Sequence, residues 1–478
     1  MTARRLAVVT VAALLLPGCT SFADTAGPPA GPGPSATAAA PGAEEEGCPA
    51  ERAEPDPDRP QIDLDFTLAD DRRTVTGTET VVFTPDLDVG ELVFRLVPNG
   101  PDSAPAGNRL VVDAVRGDDV AEGRYEAAAA SDPGGLYVVQ LDDELEAGES
   151  TEVSLDFTLT LGSGTFDRVG VDGPVSWWAS GAPLLAWEPG VGWARDPFVP
   201  VSGETASSPA ADTTVTVSAP EDLTVLMTGA QAQPSAPREG RRTWTSEEPV
   251  ARDVGVAAGP FTTTEATTPG GTRVTTGVLP DGDVPGDVLS TWTVDAIGAL
   301  EEFLGPFPYD SLSVALLPDF GGGIEYPSMI LEATPSPQVL VHEVAHQWFY
   351  GMVGNSQFRD PWLDEAFASW AEATVDPGSG LVTEEALTLT GPVGASMADY
   401  ASTGSYFRLV YDKGGAALLA AQRAAGEEPF AAAIRCYVDA TAWSIATPTD
   451  LYRALGDVPP ALDVLEGAEA LGEDDAPR

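Results

Sequence analysis

Alternation of apolar and polar residues is the dominant pattern of the chain from Gln61 onward. Apolar side chains occupy every second position from Ile62 to Leu68. Comparable short runs cover 75–83, 92–96, 153–161, 213–217, 223–227 and 254–257. A period of two is typical of half-buried β-strands, and Gly, Pro and Asp residues separate the runs as turns do. We therefore predict that residues 61–250 form a β-rich domain.

The apolar period changes toward that of a helix after residue 289. One helix is predicted over 291–304, followed by a strand over 313–317. Ser336 followed by Pro337 is a good N-cap and first-turn pair, so a second helix is predicted from there to about Met352.

Asp360 and the proline after it repeat this pair and predict a third helix that runs to about Ala373. Only a short loop separates the second and third predicted helices. The two can therefore face one another, which is the arrangement that a shared metal site needs.

The only two histidines among 478 residues, His342 and His346, lie on the second predicted helix in the sequence HEVAH. Residues four apart share one face of a helix, so both imidazoles can reach one ion. HExxH is typical of zinc sites in which the glutamate, here Glu343, reaches a water beside the metal. A chance match on an exposed helix is the alternative, but it requires both histidines to coincide by accident.

A catalytic zinc takes three protein ligands and keeps a fourth position for water. No histidine or suitably placed cysteine remains for the third ligand. Glu365, inside the third predicted helix, follows His346 after eighteen intervening residues. This spacing matches the gluzincin pattern.

Composition limits the partners of the chain. Lys and Arg number 24 against 74 Asp and Glu, for a formal net charge of −50. Binding of nucleic acid or of an anionic membrane through a basic patch is therefore excluded. A solubilising, salt-tolerant surface and an acidic surface that attracts cationic peptides both remain open.

The first nineteen residues predict a signal peptide. Arg4 and Arg5 precede an apolar run over 6–16 that is too short to span a bilayer. The run ends in LPGC, which resembles the lipobox of bacterial lipoproteins and makes Cys19 the lipidated residue. We expect an extracytoplasmic protein anchored to the membrane at Cys19, with free secretion as the alternative.

Residues 20–60 are rich in Ala, Pro and Gly and predict a disordered tether. Cys48 lies in this segment, and Cys436 is the only other cysteine besides Cys19. The two could pair in an oxidising compartment or remain separate thiols.

These motifs resemble the aminopeptidase N family of gluzincin zinc metallopeptidases, which includes relatives of leukotriene hydrolase. The HExxH helix continues as HQWF in His346 to Phe349, as in the family. The family's GxMEN or GxMEY motif appears as GGIEYP in Gly322 to Pro327, and its YxKG motif as Tyr411 to Gly414. A looser echo of FEPTxAR lies in Trp187 to Arg195. The resemblance covers about residues 61–460.

The resemblance implies one zinc ion held by His342, His346 and Glu365. Glu343 would take a proton from the attacking water and pass it to the leaving amine. Tyr411 would donate a hydrogen bond to the oxyanion that develops at the scissile carbonyl.

The resemblance also implies peptide substrates with a free N-terminus. Glu325 would bind their α-ammonium group, and Glu188 would supply a second anchor for the same amine. Gly322 and Gly323 would let backbone approach an extended peptide closely. Lys413 is interpreted as a positioning residue of the Tyr411 segment.

The implied fold is α+β and multidomain. An antiparallel β-rich saddle or sandwich domain, 61–250, precedes a thermolysin-like, mostly helical catalytic domain, 251–478. We expect a short form without the large C-terminal helical domain of larger relatives, and hence a more open cleft. Asp364, where the family commonly has Asn, is expected on the helix surface.

Two further readings of the function remain. An open-cleft endopeptidase could use the same scaffold, although Glu325 would then serve no purpose. A non-catalytic, surface-anchored module could retain the fold, although HExxH, Glu365 and Tyr411 are intact. The expected activity is that of a zinc-dependent aminopeptidase that removes N-terminal residues from peptides by attack of a metal-activated water.

Overall fold

A computed structural model of the chain describes Cys48 and residues 51–163, 168–203, 206–318, 321–378 and 382–477. The predicted signal peptide and Cys19 lie outside these residues, as does most of the predicted tether. Within the described part of the chain, no helix combines the length and the apolar character needed to cross a bilayer.

The N-terminal part is built on a seven-stranded sheet. Its strands show the predicted alternation, as in Thr151–Thr160, where every second side chain is buried. In spatial order the strands are Ala230–Gln231, Arg241–Ala251, Ala211–Pro220, Gln61–Leu68, Thr74–Phe83, Thr151–Thr160 and Arg109–Arg116. All neighbours are antiparallel except Gln61–Leu68 and Ala211–Pro220, which run parallel.

Two four-stranded antiparallel sheets and a small hairpin complete this part. The first sheet contains Leu184–Leu185, Val89–Arg95, Leu136–Leu145 and Val120–Glu126. The second contains Thr224–Met227, Gly255–Gly259, Val175–Ala179 and Val169–Asp172. The hairpin pairs Trp187–Glu188 with Gly192–Trp193. Because Gly255–Gly259 pairs with Val175–Ala179, strands of the β-rich part continue past residue 250.

The C-terminal part combines a five-stranded mixed sheet with eight α-helices among the described residues. The strands, in spatial order, are Thr262–Thr267, Arg273–Val278, Ser311–Leu316, Met329–Glu332 and Gly323–Tyr326. The helices are α1 (Gly286–Leu304), α2 (Pro337–Ala345), α3 (Trp362–Val375), α4 (Thr403–Phe407), α5 (Gly415–Ala425), α6 (Glu427–Ala440), α7 (Pro448–Ala454) and α8 (Pro459–Gly467). A two-stranded sheet pairs Gly354–Asn355 with Ile445–Ala446, and a π-helix covers Arg408–Gly414. The α+β prediction is confirmed.

A shared apolar core joins the two parts. Trp177 and Ala257 from the second four-stranded sheet pack with Ala315 and Leu331 from the five-stranded sheet. All four are buried. Because apolar side chains of both parts are buried in one core, the β-rich part is held in a fixed arrangement against the part that carries the histidines.

The prediction for α3 is confirmed, whereas that for α2 is wrong at its C-terminal end. The helix ends at Ala345 rather than near Met352. The next residues form wider turns, in which the amide of Gly351 donates to the carbonyl of His346 at 2.8 Å. Tyr350 has a φ of 93°, a left-handed conformation that an α-helix cannot contain.

The last residues of the predicted tether are held against the fold. Cys48 forms a disulfide with Cys436 of α6, with 5.1 Å between the Cα atoms. Arg52 forms an ion pair with Asp439 at 3.1 Å, and the amide of Ala53 donates to the carbonyl of Asp439 at 2.8 Å. The tether was predicted to extend to residue 60, but Arg52 and Ala53 contact α6, and Arg59 Nε donates to the carbonyl of Pro249 at 2.8 Å.

Candidate metal centre and substrate cleft

The three predicted metal ligands converge at the facing ends of α2 and α3. Glu365 Oε2 lies 3.1 Å from His342 Nε2 and 3.3 Å from His346 Nε2. All three ligand atoms lie within 4.8 Å of one another. With ligand bonds of about 2.0–2.2 Å, neighbouring ligands of a tetrahedral zinc lie roughly 3.3–3.5 Å apart. The residues fit a zinc ion in both donor type and spacing.

Carboxylates on α3 orient both imidazoles. Asp364 Oδ1 lies 2.5 Å from His346 Nδ1, and Glu372 Oε2 lies 3.5 Å from His342 Nδ1. A carboxylate on Nδ1 leaves Nε2 for the metal and makes the imidazole a stronger ligand. The surface position expected for Asp364 is wrong, because its side chain is fully buried.

Glu372 belongs to none of the predicted motifs, yet it lies in the site. A signal was present, because Glu372 follows Glu365 by seven residues, or two helical turns. Both side chains therefore project from one face of α3.

The charged groups of the cluster shift one another's pKa values. Burial lowers the pKa of His342, but hydrogen bonds to Glu365 and Glu372 outweigh this effect and raise the pKa to about 10. Burial raises the pKa of Glu365, but the charges and hydrogen bonds of His346 and His342 outweigh it, and the pKa lies below its usual range. Metal binding needs neutral imidazoles and would therefore release protons.

Glu343 lies beside the ligands with a free acceptor. Its side chain is 4% exposed, and Oε2 has no hydrogen-bond partner among the described residues. A Cβ atom at Gly323 would lie 2.6 Å from Glu343 Cγ, so glycine at 323 makes room for this carboxylate. Burial raises the pKa of Glu343 to about 7, against the opposing charges of His342 and His346. A carboxylate with such a pKa suits a general base.

Tyr411 lies within the π-helix and points at the ligand cluster. Its hydroxyl donates a hydrogen bond to Glu365 Oε1, and its ring stacks on His342 with 5.8 Å between centroids. Lys413 Nζ donates to the carbonyl of Gly391 at 2.6 Å, which fixes the segment from its other side. π-Helical turns are rare and frequently occur at functional sites.

Glu325 lies on the edge strand Gly323–Tyr326. Its side chain is buried, and Oε1 has no hydrogen-bond partner among the described residues. One of its carboxylate oxygens lies within 4.8 Å of an imidazole nitrogen of His346. Burial raises the pKa of Glu325 to about 8; the charge of His346 opposes this rise, and Asp364 and Glu365 add to it.

One cavity of about 660 Å³ joins these groups. From the C-terminal part it is lined by Gly321, Gly322, Gly323, Ile324, Glu325, Val339, His342, Glu343, His346, Glu365, Glu372, Phe407 and Tyr411. From the β-rich part it is lined by Asp102, Arg168, Ser202 and Gly203. No local sequence signal marks these last four residues, since only the tertiary fold brings them to the cleft.

Glu188 is absent from this lining. It is 2% exposed, and its Oε2 accepts a hydrogen bond from Arg359 Nη2 in an ion pair. The structure therefore does not bring Glu188 to the cleft as the second amine anchor that the sequence predicts. The partial match to the FEPTxAR motif is too short to predict the direction of this side chain.

Comparison with known proteins identifies relatives of the chain. Residues 298–466 match the family model of the peptidase family M1 domain. Aminopeptidase M1-B of Oryza sativa subsp. japonica is 27% identical over 186 residues, 32% of this chain and 21% of that protein. Aminopeptidase N of Bos taurus is 26% identical over 266 residues, 49% of this chain and 26% of that protein. The chain thus matches only about a quarter of the length of these relatives.

Solved structures with the same fold cover most of the chain. An M1 zinc metallopeptidase from Deinococcus radiodurans has a TM-score of 0.64 and 20% identity, covering 90% of this chain and 98% of that one. A variant of an M1 zinc metallopeptidase from the same organism, bound to a Tyr-Ser-Ala substrate, has a TM-score of 0.64 and 19% identity, covering 86% and 94%. These similarities establish the fold of both parts.

Proposed function

Since the chain belongs to the aminopeptidase N-like gluzincins of peptidase family M1, we propose that it is a zinc-dependent aminopeptidase that removes N-terminal residues from peptides. The observation that carries this proposal is the buried, partly unpartnered carboxylate of Glu325 beside the metal ligands. Burial raises the pKa of Glu325 to about 8, and the α-ammonium group of a peptide would favour its charged form and give Oε1 a hydrogen-bond donor.

The positions of the side chains support the following roles. His342, His346 and Glu365 would hold a zinc ion, which would supply Lewis-acid chemistry toward water and the scissile carbonyl. Glu343 accepts the proton of the attacking water through its free Oε2 and transfers it to the leaving amine. Tyr411 donates its hydroxyl proton in a hydrogen bond to the oxygen that becomes negative.

Exopeptidase specificity follows from distance. One carboxylate oxygen of Glu325 lies within 4.8 Å of an imidazole nitrogen of His346, so an α-ammonium group bound to Glu325 would hold the first peptide bond near the metal ligands. A peptide with a blocked N-terminus leaves the buried carboxylate without its partner. The aminopeptidase reading is therefore favoured over an endopeptidase.

The test compares a short peptide with its N-acetylated form, with and without a chelator. We expect cleavage of only the free-amine peptide, loss of activity with chelator, and recovery when zinc is restored. Equal cleavage of both peptides would indicate an endopeptidase. If the protein binds no zinc after dialysis against a zinc-containing buffer, it is a non-catalytic module.

We also propose that the protein is exported and lipid-anchored at Cys19. The charged start, the apolar run and the LPGC sequence support export, and the disulfide of Cys48 and Cys436 suits an oxidising compartment. Mass spectrometry of the mature N-terminus tests the anchor. A lipid-modified Cys19 is expected, and an unmodified terminus on a protein free in the medium would support secretion instead.

A further inference from the structure

We propose that Glu188 of the β-rich part is a positioning residue that sets the orientation of the zinc ligand His346 through Arg359 and the loop 356–361. This inference rests on the proposed zinc site. It gives a task to the buried glutamate that the sequence singled out and that the cleft does not use.

The ion pair of Glu188 and Arg359 crosses from the β-rich part to the loop. Arg359 Nη2 donates to Glu188 Oε2, and Arg359 Nη1 donates to Asp196 Oδ2 at 3.2 Å. Glu188 is nearly fully buried, whereas the Arg359 side chain is half exposed. A buried carboxylate is costly without its cation, so Glu188 holds the guanidinium in one place.

The same loop carries the residue that holds the orienting carboxylate. Two residues before Arg359, Gln357 Nε2 donates to Asp364 Oδ2 at 2.8 Å. The other oxygen of Asp364 contacts His346 Nδ1 at 2.5 Å. The side chains of Glu188, Arg359, Gln357 and Asp364 thus connect the β-rich part to His346. Arg359 and Gln357 are joined through the backbone, two residues apart.

The hairpin that carries Glu188 is itself fixed. Trp187 Nε1 donates to Asp86 Oδ1 at 2.9 Å, and the amide of Gly190 donates to Asp86 Oδ2 at 2.6 Å. The rings of Trp187 and Trp193 meet edge to face with 4.8 Å between centroids. Because these contacts fix the hairpin at its base and at its turn, Glu188 does not move with Arg359 and keeps the guanidinium in place.

A second contact from outside the C-terminal part supports the same loop. The amide of Gln357 donates to Ser207 Oγ at 3.2 Å, and Ser207 Oγ donates to the carbonyl of Asn355 at 3.4 Å. Gln357 is therefore held at its backbone by Ser207 and flanked by the ion pair at Arg359. Both restraints fix the direction in which its side chain reaches Asp364.

The experiment measures zinc affinity of the full-length protein by chelator competition, and the visible spectrum of the Co²⁺-substituted protein. Glu188→Gln is expected to weaken zinc about tenfold, the lower range for partners of metal-bound histidines. The Co²⁺ bands should shift, and kcat should fall while KM for a free-amine peptide stays within about twofold. Glu91→Gln is the matched control, because Glu91 pairs with Arg195 and Arg124 inside the β-rich part.

Arg359→Gln removes the same ion pair by changing its more exposed partner, and the same loss of zinc affinity is expected. The test therefore remains possible if Glu188→Gln fails to fold. The double variant should weaken zinc no more than either single change, since both act through one contact. Unchanged zinc affinity and Co²⁺ spectrum in both single variants overturn the proposal. A tenfold rise of KM with unchanged zinc affinity would instead make Glu188 an amine anchor. Absence of zinc from the native protein would overturn the proposed function itself.

Discussion

Gly323→Ala tests how closely the general base is packed. The added Cβ would lie 2.6 Å from Cγ, 2.7 Å from Cδ and 2.8 Å from Oε1 of Glu343. An ordinary carbon–carbon contact is about 3.5 Å, so Glu343 must retreat by roughly 1 Å. Displacement of a catalytic group by this amount costs about 100-fold in rate, or about 2.7 kcal/mol. The backbone at 323 is not left-handed, so alanine itself causes no backbone strain.

The assay for Gly323→Ala combines kcat and KM on an amino-acyl fluorogenic substrate with zinc content and thermal unfolding. We expect kcat to fall about 100-fold, zinc to stay bound, and overpacking to cost about 1–3 kcal/mol of stability. Gly298→Ala is the control, because nothing lies within 4 Å of its added Cβ. An unchanged kcat would refute the close packing of Glu343. A raised KM with normal kcat would place the clash on the substrate.

Three other changes probe separate groups. Glu343→Gln should keep zinc and lower kcat about 1000-fold, checked by metal analysis beside steady-state kinetics; normal turnover would exclude Glu343 as the base. Glu325→Ala should raise KM for free-amine peptides at least about tenfold and reduce discrimination against N-acetylated ones. Burial raises the pKa of Glu248 from an ordinary 4.5 to about 7, so the folded state binds more protons between these values. The free energy of unfolding should therefore fall as pH rises through this window, and Glu248→Gln should reduce the fall in urea titrations; an equal slope in both proteins would contradict this.

The metal ligands were accessible to prediction because their arrangement is local. His342 and His346 share one helix face by their spacing, and the Asp-Pro pair at 360 marked the helix that carries Glu365. The alternation of apolar and polar residues likewise predicted strands such as Gln61–Leu68. In each case a short stretch of sequence determines the local structure and also the face that its side chains share.

Other features depended on contacts that no local pattern contains. The end of α2 is set by the wider turns and by the left-handed φ of Tyr350. A tyrosine in the sequence gives no indication of such a backbone conformation. Asp364 is buried in contact with His346 and Gln357, one of which lies at the end of another helix and the other in a loop. Glu188 was assigned from a motif echo, but the direction of its side chain depends on Arg359, far away in sequence.

The disulfide has a mechanical consequence. Cys48 precedes the first strand of the seven-stranded sheet, yet it is bonded to Cys436 on α6. A pull on the chain before residue 48 is therefore transmitted to the helical part and not to the strand Gln61–Leu68. That strand lies between two neighbours in the sheet and would otherwise be peeled from them along its length. With the bond intact, tension at the N-terminal side loads the same body of the protein that contains the metal ligands.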